Sequence, residues 1–297
     1  MQSSAEPRIE SRHSSSAEKA GAGRTVVNAL SFDIEDYFQV SNFEQAVAKD
    51  SWTSWPSRVE RNVDIIMRLL AERGIRATCF ILGWVAKHHP EVVKQISENG
   101  HEIACHGWDH TLVYTQSREV FRRDTREAVS RIEDLAGARV LGYRAASFSI
   151  TRQSLWAIDV LGELGFAYDS SVFPIRHPRY GIPDAPRGPY EIVPGFWEFP
   201  MTTLSLARGF NLPVGGGGYF RLYPYLFTRW ALKRVNTSGI PAIVYLHPWE
   251  FDPGQPRINA SILARFRHYV SLAKTARRLR RMCGDFRFAP IKEVLGL

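Results

Sequence analysis

Residues 25–37 read TVVNALSFDIEDY, an apolar, β-branched run that ends in three carboxylates, Asp33, Glu35 and Asp36. Its composition is that of a strand, and its polar residues collect at the C-terminal end. Outward from it the pattern recurs. Strand candidates at Ala77–Leu82, Glu102–Cys105, Val140–Arg144, Phe166–Ser170, Phe196–Met201, Ala242–Leu246 and Phe286–Pro290 alternate with helix-like stretches. Ser57–Glu72 puts Val59, Val63, Ile66, Met67 and Leu70 on one helical face, Ser117–Leu135 does so with Val120, Phe121, Val129, Ile132 and Leu135, and Thr151–Leu164 with Leu155, Ile158 and Leu161. Glycines such as Gly74 and Gly137 follow the helical stretches, where a left-handed cap is expected. The alternation predicts an α/β chain with a largely parallel sheet. The number of units favours a single-domain, distorted (β/α) barrel over residues 25–297, preceded by a disordered tail over 1–24. Phe173–Phe196, rich in Pro, Gly and charge, reads as an irregular excursion that shapes a groove.

The bulk properties limit the function classes. With 297 residues and 44% hydrophobic side chains the chain can bury one large core. The net charge of +8 invites a nucleic-acid or membrane reading. Much of the excess falls between Arg265 and Arg281, where apolar residues recur as on a surface helix, so a solvated helix face is expected rather than a nucleic-acid patch. No run of eighteen apolar residues is present. Three widely spaced cysteines, Cys79, Cys105 and Cys283, suggest neither a disulfide framework nor a zinc ribbon, and a reducing compartment is expected.

The strand ends carry the chemistry. Alternation along an extended chain sets Asp33 and Glu35 on one side, and their repulsion calls for a cation between them; a solvated acidic loop is the plainer alternative. The stretch GHEIACHGWDH at 100–110 ends in His106 and His110, four residues apart. If one helical turn follows the strand, both imidazoles face one point, leaving an open position beside a carboxylate ligand. Arg144 closes another strand and can hold Asp33 ionised, or make an ordinary ion pair. His247 closes the apolar run before Pro248, at the end of the sheet where a general acid would sit. The four glycines at 215–218 lack the Lys and Ser or Thr of a phosphate loop. A close backbone approach to a sugar is expected there, with Tyr219 or Trp249 as a stacking face or simply as core.

In this order these elements resemble the polysaccharide deacetylases of the NodB-homology type, over roughly residues 25–295. The runs DIEDYFQV from Asp33, YDSS from Tyr168 and GGGGYFR from Gly215 resemble, more narrowly, exosortase-associated exopolysaccharide deacetylases. The resemblance implies a hydrolase of carbon–nitrogen bonds that removes N-acetyl groups from an amino-sugar exopolysaccharide or its oligosaccharide precursor. It implies Asp33 as catalytic base, Arg144 as the residue that holds it, and His247 as catalytic acid. Glu35, His106 and His110 would be ligands of a divalent metal, with Zn2+ the expected ion. The usual adjacent acid pair is replaced by AspIleGluAsp, so Glu35 and Asp36 both stand as the carboxylate ligand. The acid that orients His247 has no clear match, and Asp169 and Glu198 are its candidates. Hydrolysis of a small non-sugar amide, and carbohydrate binding or assembly without turnover, are the rival functions. The expected partners are an N-acetylated polysaccharide or oligosaccharide and no nucleic acid. The expected location is the cytoplasm, at the inner face of the membrane, with the basic Arg265–Arg281 stretch as a peripheral contact.

Overall fold

The computed structural model describes residues 26–207 and 209–297; the tail expected over 1–24 lies outside them. In chain order the strands are β1 (Val27–Ile34), β2 (Thr78–Ile81), β3 (Glu102–Cys105), β4 (Gly142–Tyr143), β5 (Tyr168–Asp169), β6 (Tyr190–Val193), β7 (Phe196–Glu198), β8 (Thr203–Ala207), β9 (Phe210–Pro213), β10 (Ile243–Leu246) and β11 (Arg287–Ala289). The α-helices are α1 (Val59–Ala71), α2 (Gly83–His88), α3 (Pro90–Glu98), α4 (Arg118–Ala136), α5 (Trp156–Glu163), α6 (Gly217–Leu222), α7 (Tyr225–Thr237), α8 (Ile262–Tyr269), α9 (Thr275–Asp285) and α10 (Ile291–Leu295). The sheet runs β10-β1-β2-β3-β4-β5-β7-β6, with β11 also on β1. All these pairings are parallel except β6 with β7. The expected curled α/β barrel is therefore the observed one.

Period-two alternation on β1 divides the core into two layers. Leu30, Phe32 and Ile34 face outward and pack with Val63, Ile66 and Leu70 of α1. Each such side chain, once fully buried, contributes about 1.5–3 kcal/mol. Ala29 faces inward with Phe80, Ala104, Tyr168, Ile243 and Tyr245, which fill the barrel. Asp33 shares the inward parity, at the C-terminal mouth. The opposite mouth is plugged by α10, where Ile291 joins the inner layer and the Lys292 N–H donates to Glu102 at 3.1 Å.

Between β7 and β10 no regular ladder closes the barrel, and the gap is bridged by the chain around Thr202 and Gly215. The Ile243 N–H donates to Thr202 Oγ1 at 2.6 Å, and the Tyr245 N–H to the Gly215 carbonyl at 2.9 Å. The glycine run lies against β10 because nothing larger fits: a Cβ on Gly215 would come 2.6 Å from the Ile243 carbonyl oxygen, and one on Gly216 2.0 Å from that of Tyr245. For these two glycines the close approach is to the strand rather than to a sugar; Gly217 and Gly218 line the cleft.

Three other expectations change. The excursion after Phe173 is not irregular throughout, because Tyr190–Val193 turns at Gly195 (φ 82°) and pairs back on β7. The hairpin β8–β9 was not anticipated; it forms a separate two-stranded sheet that reaches the core through Thr203 and Leu204. The basic stretch Arg265–Arg281 is not one helix, because Ser271 adopts a left-handed φ of 55° between α8 and α9.

If closure depends on the Gly216 approach, Gly216→Ala should lower stability by roughly 2–4 kcal/mol, whereas Gly218→Ala, with open space at its Cβ, should change little. Thermal or urea unfolding of the two variants measures the difference.

Candidate active site

Four strand ends bring the site together. Asp33 lies in β1 and Glu35 just beyond it, His106 follows β3, Arg144 follows β4, and His247 follows β10. His110 does not arrive on a helical turn as expected. Gly107 (φ 78°) and His110 itself (φ 61°) turn the loop through the left-handed region instead. For a histidine that backbone costs on the order of 1 kcal/mol, a strain typical of functional loops.

One ligand atom from each of Glu35, His106 and His110 lies within 4.8 Å of the others, all three residues being buried. The Nδ1–H of His106 donates to the Arg144 carbonyl at 2.8 Å, which leaves Nε2 free of that bond. His110 Nε2 lies 3.0 Å from Glu35 Oε2, an oxygen that is buried and has no hydrogen-bond donor. Burial drives both imidazoles below their ordinary pKa, so they are neutral, the form that binds metal. Burial, together with the Asp33 charge, pushes the Glu35 carboxyl up to about 7. A cation relieves that cost and uses the orphaned oxygen. The donor set of one carboxylate and two imidazoles therefore fits a divalent ion with an open position.

Beside this cluster, burial alone would raise Asp33, but Arg144, His106 and His247 together hold its carboxyl below the ordinary value. Arg144 Nη1 is 2.6 Å from Asp33 Oδ1. His247 Nε2 lies 3.8 Å from Asp33 Oδ2 and 3.6 Å from Glu35 Oε1. Burial would lower His247; hydrogen bonding to Glu250 and the charges of Glu35, Glu250 and Asp33 overcome this and raise it to about 9. Asp33, Glu35, His106, His110 and His247, with Tyr219, line a cleft of about 420 Å³.

The acid on His247 is neither Asp169 nor Glu198 but Glu250, which accepts from Nδ1 at 2.7 Å. The turn after β10 makes this contact local, and the Glu250 carboxylate also accepts the His247 N–H at 3.0 Å. Its other oxygen accepts from Arg221 Nε at 2.5 Å. Sequence reasoning missed both residues, although a glutamate three positions after a strand-end histidine was the available signal. Trp249 is not an open platform: only 5% exposed, it stacks on His247 and His268 and donates from Nε1 to Glu35 Oε1 at 3.2 Å. Asp36 turns away from the metal cluster. Its carboxylate accepts from Ser57 Oγ and the Arg58 N–H, both at 2.7 Å, and from the Val59 N–H at 3.2 Å, capping α1 from a distant segment.

Asp169 and Glu198 sit opposite each other on β5 and β7. One oxygen of each, Asp169 Oδ2 and Glu198 Oε2, is buried without another partner, which a single proton shared between the two carboxyls satisfies. Burial raises Asp169 to about 6, and burial with the Asp169 charge raises Glu198 further.

Three predictions follow from this geometry. Removing the donors one at a time in Glu35→Ala, His106→Ala and His110→Ala should leave divalent metal well below one equivalent after dialysis. Asp36→Asn should keep the metal and lower stability by about 1–2 kcal/mol; elemental analysis and unfolding curves check both. For the carboxyl pair, pKa values raised by folding mean stability that is full below the unfolded carboxyl range and lost as pH rises through about 6 and above. Glu198→Gln should flatten that loss, on the order of 2 kcal/mol, in melting curves taken at acidic and alkaline pH.

Residues 49–168 match the family described as polysaccharide deacetylase, and residues 170–296 one described as a domain of unknown function. The first span holds His106, His110 and Arg144, the second His247 and Glu250, and Asp33 and Glu35 precede both. A chitooligosaccharide deacetylase of Rhizobium leguminosarum bv. trifolii is 28% identical over 106 residues, 32% of this chain and 49% of that protein. The peptidoglycan-N-acetylglucosamine deacetylase PgdA of Listeria monocytogenes is 34% identical over 59 residues, 20% of this chain and 13% of that one. The matched stretches thus span half or less of these curated relatives. A Mycobacterium smegmatis structure provisionally described as a polysaccharide deacetylase superposes with TM-score 0.61 at 18% identity, covering 93% of this chain and 91% of that one. The peptidoglycan deacetylase PdaC of Bacillus subtilis gives 0.51 at 12%, covering 92% and 91%, and both likenesses concern the fold. The stretch 49–168 is thus similar to the polysaccharide deacetylases, and the likeness to the solved structures, which spans nearly the whole chain, shows a shared fold.

Proposed function

We propose that the chain is a metal-dependent hydrolase that removes N-acetyl groups from an amino sugar in an exopolysaccharide or its oligosaccharide precursor. The observation that carries this reading is the pair of proton carriers beside the metal cluster. Asp33 is held ionised by Arg144 at 2.6 Å, and His247, raised to about 9, is held protonated by Glu250 at 2.7 Å. Opposite protonation states across one cleft are what general base and general acid require.

A divalent cation held by Glu35, His106 and His110, Zn2+ by the preference of this donor set, supplies Lewis-acid polarisation of the acetamide carbonyl. Asp33 takes a proton from the water that adds to the carbonyl carbon. His247 gives its Nε2 proton to the amide nitrogen as the carbon–nitrogen bond breaks. Acetate and the free amino sugar leave, and proton transfer from Asp33 to His247 restores both groups. Glu250 keeps the His247 ring in register by holding Nδ1–H, and Arg221 holds Glu250 from behind. The names of the relatives, deacetylases of chitooligosaccharide and of peptidoglycan N-acetylglucosamine, favour an N-acetylated glycan over a small amide as the substrate.

The test is acetate release from soluble N-acetylglucosamine oligomers by the metal-loaded protein. Asp33→Asn and His247→Ala should each lower kcat by about 10²–10⁴ while retaining metal. Glu250→Gln should lower kcat about tenfold or more with little change in KM, and Glu250→Asp should recover part of it. Unchanged turnover in Asp33→Asn would remove it as the base.

A further inference from the structure

The chain's positive charge is unevenly placed. Between Glu198 and Asp285 it carries thirteen Lys and Arg and only two carboxylates, Glu250 and Asp252, and both of those are buried. Within these bounds no acidic side chain reaches solvent, and at their edge Asp285 pairs with Arg229 at 3.0 Å. The helices α6, α7 and α8 in it also expose large apolar side chains. Leu222, Leu226, Trp230, Ile262, Leu263 and Phe266 are between 51 and 86% exposed.

The exposed side chains form one surface. On α6 and α7, Leu222, Leu226 and Trp230 recur every four residues. Beneath them Tyr219, Tyr223, Phe227 and Trp230 touch in series, with ring centroids 6.0, 5.0 and 5.7 Å apart, from the cleft outward. On α8, Ile262, Leu263 and Phe266 share one side. The two elements are locked together by Arg221, whose guanidinium donates to the carbonyls of Arg267, His268 and Val270 at 2.8–3.0 Å. Leu222 and Phe266 both line the cleft. Arg265 and Arg267 flank Phe266 and are exposed.

We propose that this α6–α8 surface docks the protein on an anionic lipid bilayer, with the six apolar side chains entering the headgroup region and the flanking cations pairing with lipid phosphate. Apolar residues up to tryptophan in size, ringed by Arg and Lys with Asp285 on Arg229 as the acid at their edge, match a negatively charged apolar boundary. An acidic polymer would match the charge but gives no place to Leu226, Ile262 or Leu263. The surface differs from a basic last helix acting alone: α8 and the α6–α7 stripe contribute the apolar contact, and α9 lies behind them. Because the cleft rim belongs to the surface, a glycan carried on a lipid would reach Asp33 and His247 without leaving the membrane. That consequence rests on the deacetylase reading; the docking itself does not.

The experiment is co-sedimentation with vesicles of phosphatidylcholine alone and of phosphatidylcholine with about one third phosphatidylglycerol. The full chain should bind the anionic vesicles at least about tenfold more tightly. The double variant Leu226→Glu with Ile262→Glu should lose about tenfold or more of that binding, with its melting temperature and its acetate release from soluble oligomers unchanged. Equal binding to both vesicles, or a variant that binds as the parent does, overturns the proposal. So does retention on alginate without vesicle binding, which gives the surface to an acidic polymer. A dimer in sedimentation velocity that the double variant abolishes gives it to a second copy and overturns it equally. Vesicle binding needs no turnover, so an inactive protein that still binds separates the two readings.

Discussion

The guanidinium of Arg144 is the fixed point of this molecule. It is fully buried at the mouth of the barrel, where an unpaired charge would cost several kcal/mol. Each of its donor nitrogens is used: Nη1 on Asp33 and on Ser31 Oγ at 2.9 Å, Nη2 on Ser170 Oγ at 3.0 Å, and Nε on the Ser170 carbonyl at 3.1 Å. Phe80 lies beneath it, 4.0 Å from ring centroid to Cζ. Those partners come from β1, β2 and the end of β5, so one side chain ties together strands far apart in the chain. The same contacts decide the chemistry, since the carboxylate that satisfies the arginine is kept ionised where burial would otherwise protonate it.

From that point the charges order themselves across the cleft. Asp33, paired with a permanent cation, falls below its ordinary value. Glu35, two residues on and without such a partner, rises to about 7. The two carboxyls lie at the same strand end and differ chiefly in whether an arginine reaches them. His247 is set from the other side. Burial works against its protonation, and the Glu250 contact reverses the outcome. Glu250 stays ionised under full burial because Arg221 meets it, and Arg221 in turn is neutralised by backbone carbonyls around α8. The protonation of His247 thus depends on how a segment twenty residues downstream is folded.

What the sequence revealed follows from how local each signal is. The strand at Val27–Ile34 and the helix face of Val63, Ile66 and Leu70 are written in period-two and period-four patterns, and a short window suffices to read them. Asp33, Glu35, His106, Arg144 and His247 were visible as polar residues at strand ends, because a parallel barrel delivers those ends to one mouth. The position of Asp36 was not, since its role depends on Ser57 and the start of α1 meeting it in space. Asp169 and Glu198 were plausible orienting acids by strand position alone. They pair with each other because β5 and β7 are adjacent, a fact of topology. The break at Ser271 and the contact of Gly216 with β10 likewise come from tertiary packing that no period encodes.

The division of labour along the chain explains why the site is hard to recognise from either half. Residues 49–168 provide two imidazoles and the arginine, and residues 170–296 provide His247 with its Glu250 and Arg221 support. Asp33 and Glu35 stand before both, on the central strand that pairs with β2 on one side and β10 on the other. Neither half alone holds a cation cluster and a proton pair together. The parallel pairing of β10 with β1 joins them, and that juxtaposition sets His247 Nε2 within 3.8 Å of Asp33 and 3.6 Å of Glu35. On its other edge β10 is held by the chain around Thr202 and Gly215, and the glycines that let this chain press against β10 serve the site without touching it.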